Sequence, residues 1–241
     1  MKVWAHRGAS AYAPQNTLES FRLAAEMHAD GIELDVHLSA DGEIIVCHNE
    51  TIDATSDGSG EILQMTLAEL KRYDFGCKFP GFAGKGVRVP TLREVYELMA
   101  PTGLLVNCEL KTNVHDYPGI ERKCVDLAAE FGMWDRVMYS SFNFASLQRI
   151  LAIDPTIRTG LLYEEPLDDT LAFALGQRAW AVHPYFPRVY EYDMAAFAAA
   201  GVRVNPWTVD DPEEMRRQME MGIYAIITDK PDVALRVREQ G

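Results

Sequence analysis

The chain has 241 residues, 48% of them hydrophobic, enough to bury one large α/β core and close to the ~250 residues typical of an eight-fold β/α barrel. With 36 acidic against 23 basic residues it carries a formal charge of −13, which argues against nucleic acid or an anionic membrane surface as partner. A small anion remains compatible with that charge, provided local cations hold it.

Val3–Ala5 reads as a first strand, too close to residue 1 to leave room for the apolar region of a signal peptide. No run approaches the length of a membrane span. Cys47, Cys77, Cys108 and Cys124 show no metal-binding spacing, and two lie in apolar strand-like runs. A cytoplasmic protein with reduced thiols and no membrane anchor is expected. Thr17–His28 follows as an amphipathic helix, with Asn16 and Glu19 spaced for a capping box. Gly31–Leu38 is a second strand, and Ile44–His48 an extended run after the Asp41-Gly42 turn.

Residues from about 50 to 90 break this rhythm with Gly58, Gly60, Pro80, Gly81, Gly84, Gly86 and Pro90 around one short helix at Leu67–Tyr73. They read as an insertion that covers one end of the domain and has no core of its own. Alternation then resumes. Helices are expected at Leu92–Met99, Ile120–Phe131, Phe144–Ala152, Asp168–Leu175, Met194–Ala200, Glu213–Met221 and Pro231–Arg238. Strands are expected at Leu104–Leu110, Val137–Ser140, Arg158–Leu162, Trp180–His183, Val202–Asn205 and Ala225–Ile227. These strands are short and apolar on both faces, as in a parallel sheet. With Val3 and Gly31 they make eight βα units. The expected fold is α/β, a single (β/α)8 TIM barrel over residues 1–241 with a small insertion after the second strand.

Chemistry in such a barrel sits at the C-terminal ends of the strands. His6 and Arg7 follow the first strand directly, and Glu33 and Asp35 lie two apart on the second. Side chains two apart share a face, with Cα atoms ~7 Å apart. Two inward carboxylates repel unless a proton, an arginine or a cation lies between them, and a hard divalent cation is the simplest answer. Glu109 and Lys111, at the end of the Leu104–Leu110 run, offer a third carboxylate and a second cation. Alone, that pair would read as a surface ion pair. His48 closes the Ile44–Cys47 run and pairs with His6 as a candidate acid–base couple, because imidazole titrates near neutral pH. His37 shares the parity of Glu33 and Asp35 and is a candidate for the mouth; His183, ending a strand, is a candidate substrate contact. His28 and His115 read as helix-end and loop residues. Trp207, Trp180 and Phe142 follow or end later strands and are candidates for a pocket wall as well as for core. Met215, Met219 and Met221 read as helical core.

The runs Ala5-His6-Arg7-Gly8, Pro14-Gln15-Asn16-Thr17, Glu33-Leu34-Asp35-Val36, Asp41-Gly42-Glu43 and Val46-Cys47-His48 resemble the signature of the glycerophosphodiester phosphodiesterase family. The likeness continues in order through Thr55-Ser56, Pro90-Thr91-Leu92, Glu109-Leu110-Lys111, Ser140-Ser141-Phe142, Trp207-Thr208-Val209 and Thr228-Asp229. The resemblance implies a β/α barrel that hydrolyses glycerophosphodiesters to glycerol 3-phosphate and an alcohol with one divalent cation, magnesium or calcium. By matching position it implies Glu33, Asp35 and Glu109 as metal carboxylates, and His6 and His48 as the acid–base pair. Arg7 and Lys111 match the phosphate-facing cations and Trp207 an aromatic near the glycerol. Two positions depart from the family pattern: Gln15 and Asn49 stand where acidic residues are usual. A lysophospholipase D-like or phosphatidylinositol-phospholipase-like enzyme is one rival reading, and a non-catalytic barrel that binds phosphorylated ligands is another. A small-molecule glycerophosphodiester is the expected partner; the oligomeric state, a homo-oligomer included, is left open.

Overall fold

The computed structural model describes residues 1–241. Eight parallel strands form the sheet: β1 Lys2–Ala5, β2 Gly31–Leu38, β4 Leu105–Leu110, β5 Val137–Ser141, β6 Thr159–Tyr163, β7 Ala181–Pro184, β8 Arg203–Val204 and β9 Ala225–Thr228. They run in the order β8-β7-β6-β5-β4-β2-β1-β9, with the short β3, Ile44–Val46, antiparallel to β2. β8 has two residues because Pro206 offers no N–H to extend its ladder. The last seam is bridged instead by single backbone bonds, Tyr224 N–H to the Val204 carbonyl (3.1 Å) and Ile227 N–H to that of Pro206 (3.0 Å). The result is a nearly closed barrel with helices between its strands.

Those helices are α1 Leu18–Glu26, α3 Leu92–Met99, α4 Ile120–Glu130, α5 Phe144–Ile153, α6 Thr170–Gly176, α7 Met194–Ala200, α8 Pro212–Glu220 and α9 Pro231–Gln240. No helix is long and apolar enough to cross a membrane. Their apolar stripes pack on the outer face of the sheet, with Phe21, Tyr96, Ile120, Leu147 and Phe197 among the buried anchors. A second set of buried apolar side chains, including Trp4, Met138, Ala181 and Ile227, fills the interior. The His183 ring lies there above Gly160, where a Cβ would stand 2.5 Å from its Nε2, so only glycine leaves that ring room.

Two expectations are corrected. The capping box of α1 is built by Thr17 and Ser20, not by Asn16 and Glu19: Thr17 Oγ1 accepts the Ser20 N–H and Ser20 Oγ accepts that of Thr17, both at 3.3 Å. Asn16 has a left-handed backbone (φ 56°), which takes its side chain away from the helix. The insertion, which follows β3, has a small core after all. Ile52, Ile62, Leu70, Phe75, Val87 and Val89 pack together and onto Ile45 and Cys47. These residues follow no helical or strand period, because turns space them, so no periodicity marks them in the sequence. The helix expected there is one turn, α2 Leu67–Leu70. All four cysteines are free thiols.

Candidate active site

The site begins with a tight turn after β1. Arg7 adopts a left-handed backbone (φ 54°) and Gly8 continues it (φ 82°). A Cβ on Gly8 would lie 2.6 Å from the backbone carbon of Ser20, so the turn can press against α1 only with glycine there. Ser20 Oγ donates to the Arg7 carbonyl (2.9 Å), and the Arg7 N–H donates to Glu33 Oε2 (3.0 Å). The first loop, the start of α1 and β2 are thereby locked together.

The carboxylates come from two adjacent strands. In the parallel register of β2 and β4, Glu33 pairs with Asn107 and Asp35 with Glu109, so alternation turns all four to the interior. One oxygen from each of Glu33, Asp35 and Glu109 lies within 4.8 Å of the others, and all three side chains are buried. Lys111 Nζ stands 2.9 Å from Glu109 Oε1 and 3.7 Å from Asp35 Oδ1; Arg7 Nε stands 3.5 Å from Asp35 Oδ2. Asn16 Nδ2 donates to Asp35 Oδ2 at 2.8 Å.

The field here divides the three acids. Burial would raise the Asp35 carboxyl, but Arg7 and Lys111 override it and hold Asp35 well below the usual carboxylate range. Burial, then the charge of Asp35, pushes Glu109 up to about 7. Burial, then Asp35 and Glu109, pushes Glu33 well above its ordinary value. The buried Asp35 Oδ1 also lacks a hydrogen-bond partner. Three hard oxygen donors, two of them reluctant to ionise without help, suit Mg2+ or Ca2+.

The histidines reach the cluster by different routes. His6 extends β1, and its Nδ1 lies 2.6 Å from Asp229 Oδ1 at the end of β9. His48 arrives because β3 runs back along β2, with the Cys47 N–H donating to the Asp35 carbonyl (3.0 Å). His48 Nδ1 is 2.6 Å from Asn49 Oδ1, and burial pushes its imidazole below the ordinary value. His37, a candidate for the mouth, is instead fully buried. Its Nε2 meets the His48 carbonyl (3.2 Å) and its Nδ1 the Tyr117 hydroxyl (3.0 Å), so it supports the His48 loop from behind. Burial lowers it to about 4.

His6, Arg7, Glu33, His48, Glu109, Lys111 and Trp207 line one cavity of about 710 Å³ at the strand ends, with Asp35 beneath its floor. Phe142 shares the wall with Trp207, edge to face at 5.7 Å, and Trp207 Nε1 donates to the His183 carbonyl (2.8 Å). His183 itself, a candidate substrate contact, lies wholly buried below, its Nε2 3.1 Å from Asn205 Nδ2. Trp180, the other candidate for the wall, precedes β7 and lies under the Arg203 guanidinium.

Residues 6–233 match the glycerophosphoryl diester phosphodiesterase family. The chain belongs to that family. A glycerophosphodiester phosphodiesterase from Caldanaerobacter subterraneus subsp. tengcongensis is 41% identical over 99% of this chain and 98% of its own length. The structure of an Oleispira antarctica phosphodiesterase in complex with the product sn-glycerol-3-phosphate superposes with a TM-score of 0.87 at 28% identity, covering 99% of this chain and 97% of that one. A glycerophosphodiester phosphodiesterase from Agrobacterium tumefaciens gives a TM-score of 0.86 at 29% identity, covering 98% and 99%.

Both departures from the family pattern have defined contacts. Gln15 Oε1 accepts from Arg7 Nη1 (2.7 Å), and Asn49 Oδ1 accepts from His48. The sequence gives no signal for Asn16, which holds Asp35, beyond its place in the first loop; Asn107, which lines the cavity, shares the parity of Glu109.

Proposed function

We propose that this phosphodiesterase hydrolyses glycerophosphodiesters to glycerol 3-phosphate and an alcohol, with one divalent cation and the two histidines as acid and base. One observation carries the reading: three buried carboxylates within 4.8 Å of each other share a cavity with two imidazoles and two fixed cations. The bound product of the Oleispira relative supports it from outside the molecule. Glu33, Asp35 and Glu109 would hold Mg2+ or Ca2+, which supplies neutralisation of a non-bridging phosphoryl oxygen. Arg7 and Lys111 face the remaining anionic oxygens as charge builds. Trp207 walls the glycerol side.

The two imidazoles divide their work by environment. Asn49 Oδ1 can only accept, so His48 Nδ1 carries a proton; burial keeps the ring neutral, which leaves a lone pair on Nε2. His48 is the base that takes the proton of the attacking hydroxyl, from water or from the glycerol 2-position; in the second case the cyclic phosphate that forms is opened by water, which gives its proton to His6 while His48 returns a proton to the 2-oxygen. As the new P–O bond forms, the bond to the alcohol breaks. His6 gives its Nε2 proton to the departing oxygen.

The test uses EDTA-treated protein with Mg2+ or Ca2+ restored. Glycerophosphocholine is compared with a glycerol phosphodiester of p-nitrophenol, whose leaving group needs no proton. His48→Ala loses about 100-fold or more on both substrates. His6→Ala loses as much on glycerophosphocholine and little on the p-nitrophenyl ester. Melting temperatures stay near wild type. Near-normal turnover in either variant on glycerophosphocholine, or full activity in EDTA, overturns the proposal.

A further inference from the structure

The reacting groups come from the first half of the barrel, yet His6 is held by its last strand. Its N–H donates to the Thr228 carbonyl (2.8 Å), and its Nδ1 meets Asp229 Oδ1. Asp229 is itself constrained. Ser10 Oγ stands 2.8 Å from the same Oδ1 and 2.7 Å from the His6 carbonyl, its one proton shared between them, and the Ala11 N–H donates to the Asp229 carbonyl (3.1 Å). From the loop after β8, Asp210 Oδ1 accepts the Asp229 N–H (2.9 Å) and the Thr228 hydroxyl (2.8 Å). Asp229 does not line the cavity, whereas His6 does.

We propose that Asp229 is the positioning residue of His6, accepting the Nδ1 proton so that Nε2 faces the leaving oxygen and stabilising the protonated ring that donates to it. The inference rests on the acid role given to His6 above. A carboxylate that can only accept selects the Nδ1–H form, and its negative charge favours the imidazolium that an acid needs before it acts. The neighbouring pair of carboxylates is polarised to suit. Burial and the charge of Asp229 push Asp210 up, while Asp229, which burial alone would raise, is held below its ordinary value by the bond and charge of His6. The negative charge therefore resides on the carboxylate that touches the histidine. Arg7 from the same loop, Glu33 from β2, His48 beyond β3, Glu109 and Lys111 from β4, and Tyr163, Glu164 and Glu165 at and after the end of β6 are the other charged or titratable groups around the cavity. None makes a bond to His6 Nδ1; besides Asp229, only Thr208 Oγ1 approaches it, at 3.5 Å.

Asp229→Asn keeps the shape and removes the charge. With the metal-loaded enzyme, kcat on glycerophosphocholine should fall about 100-fold while KM stays within about threefold. The alkaline limb of the kcat/KM profile should move to lower pH. Turnover of the p-nitrophenyl ester should stay within about threefold of wild type, since that leaving group needs no acid. Asp229→Glu should recover part of the loss. Ser10→Ala, which leaves the carboxylate in place, should show the same substrate-dependent pattern at a few-fold and reports if Asp229→Asn does not fold. Equal losses on the two substrates, or an unshifted alkaline limb in a folded variant, would overturn the proposal. A wild-type enzyme that hydrolyses no glycerophosphodiester would overturn the underlying reading instead.

Discussion

Glu109 gives the sharpest test of the carboxylate cluster, because its burial couples metal, proton and fold. Burial and Asp35 carry its carboxyl from an ordinary 4.5 to about 7. Between those values the folded chain holds a proton that the unfolded chain has released. The Glu109 contribution to the metal-free protein's stability is therefore full below about 4.5, falls as pH rises and levels off above about 7. At about 1.4 kcal/mol per pH unit the loss is ~3 kcal/mol. For a chain of this length that is roughly 6–12 °C in melting temperature. Glu109→Gln removes the ionisation and should abolish this share of the slope. The assay is thermal melting of EDTA-treated wild type and Glu109→Gln from pH 5 to 8.5, with and without Mg2+ or Ca2+. The two metal-free proteins should melt alike near pH 5, and the variant should melt higher at pH 8. The cation should restore wild type at pH 8 and add far less to the variant. Parallel metal-free curves, or an equal cation effect on both, would refute the reasoning.

Other outcomes follow from single contacts. Asn16→Ala removes the donor on Asp35 Oδ2 and should weaken Mg2+ or Ca2+ binding about tenfold by calorimetry, with melting in excess metal little changed. Gly8→Ala forces a side chain into a left-handed turn, at about 1–2 kcal/mol, and toward the Ser20 backbone. It should lower the melting temperature by at least about 4 °C and remove activity; an active, normally melting variant would contradict the turn described here. Gln15→Glu places a charge against Arg7. KM should rise about threefold while the metal-titration midpoint stays put, and a shifted midpoint with constant KM would reverse that placement.

The barrel was legible because its two periodicities are clean. α3 and α7 fall on their expected bounds, and most other ends move by one or two residues, where caps decide. Parity put Glu33 with Asp35, and Glu109 with Lys111, on shared faces; the resemblance joined the two pairs, and the parallel register of β2 and β4 sets Asp35 beside Glu109. The choice made by Asn16, between capping α1 and holding Asp35, was not legible. It turns on one backbone angle, and both choices use the same side-chain chemistry. His37 lies beyond Asp35 toward the strand end but is covered by Tyr117 and the His48 loop, and His183 is buried beneath Trp207; parity shows neither cover nor depth. The packing of the insertion depends on turns rather than on any repeat.

The bond between His6 and Asp229 spans 223 residues of chain. During synthesis the histidine emerges first and its carboxylate 223 residues later, so a growing chain carries both imidazoles and the three clustered carboxylates long before His6 has its partner. On the roles proposed above, the acid–base arrangement is complete only once the strand that leads to Asp229 has docked beside β1.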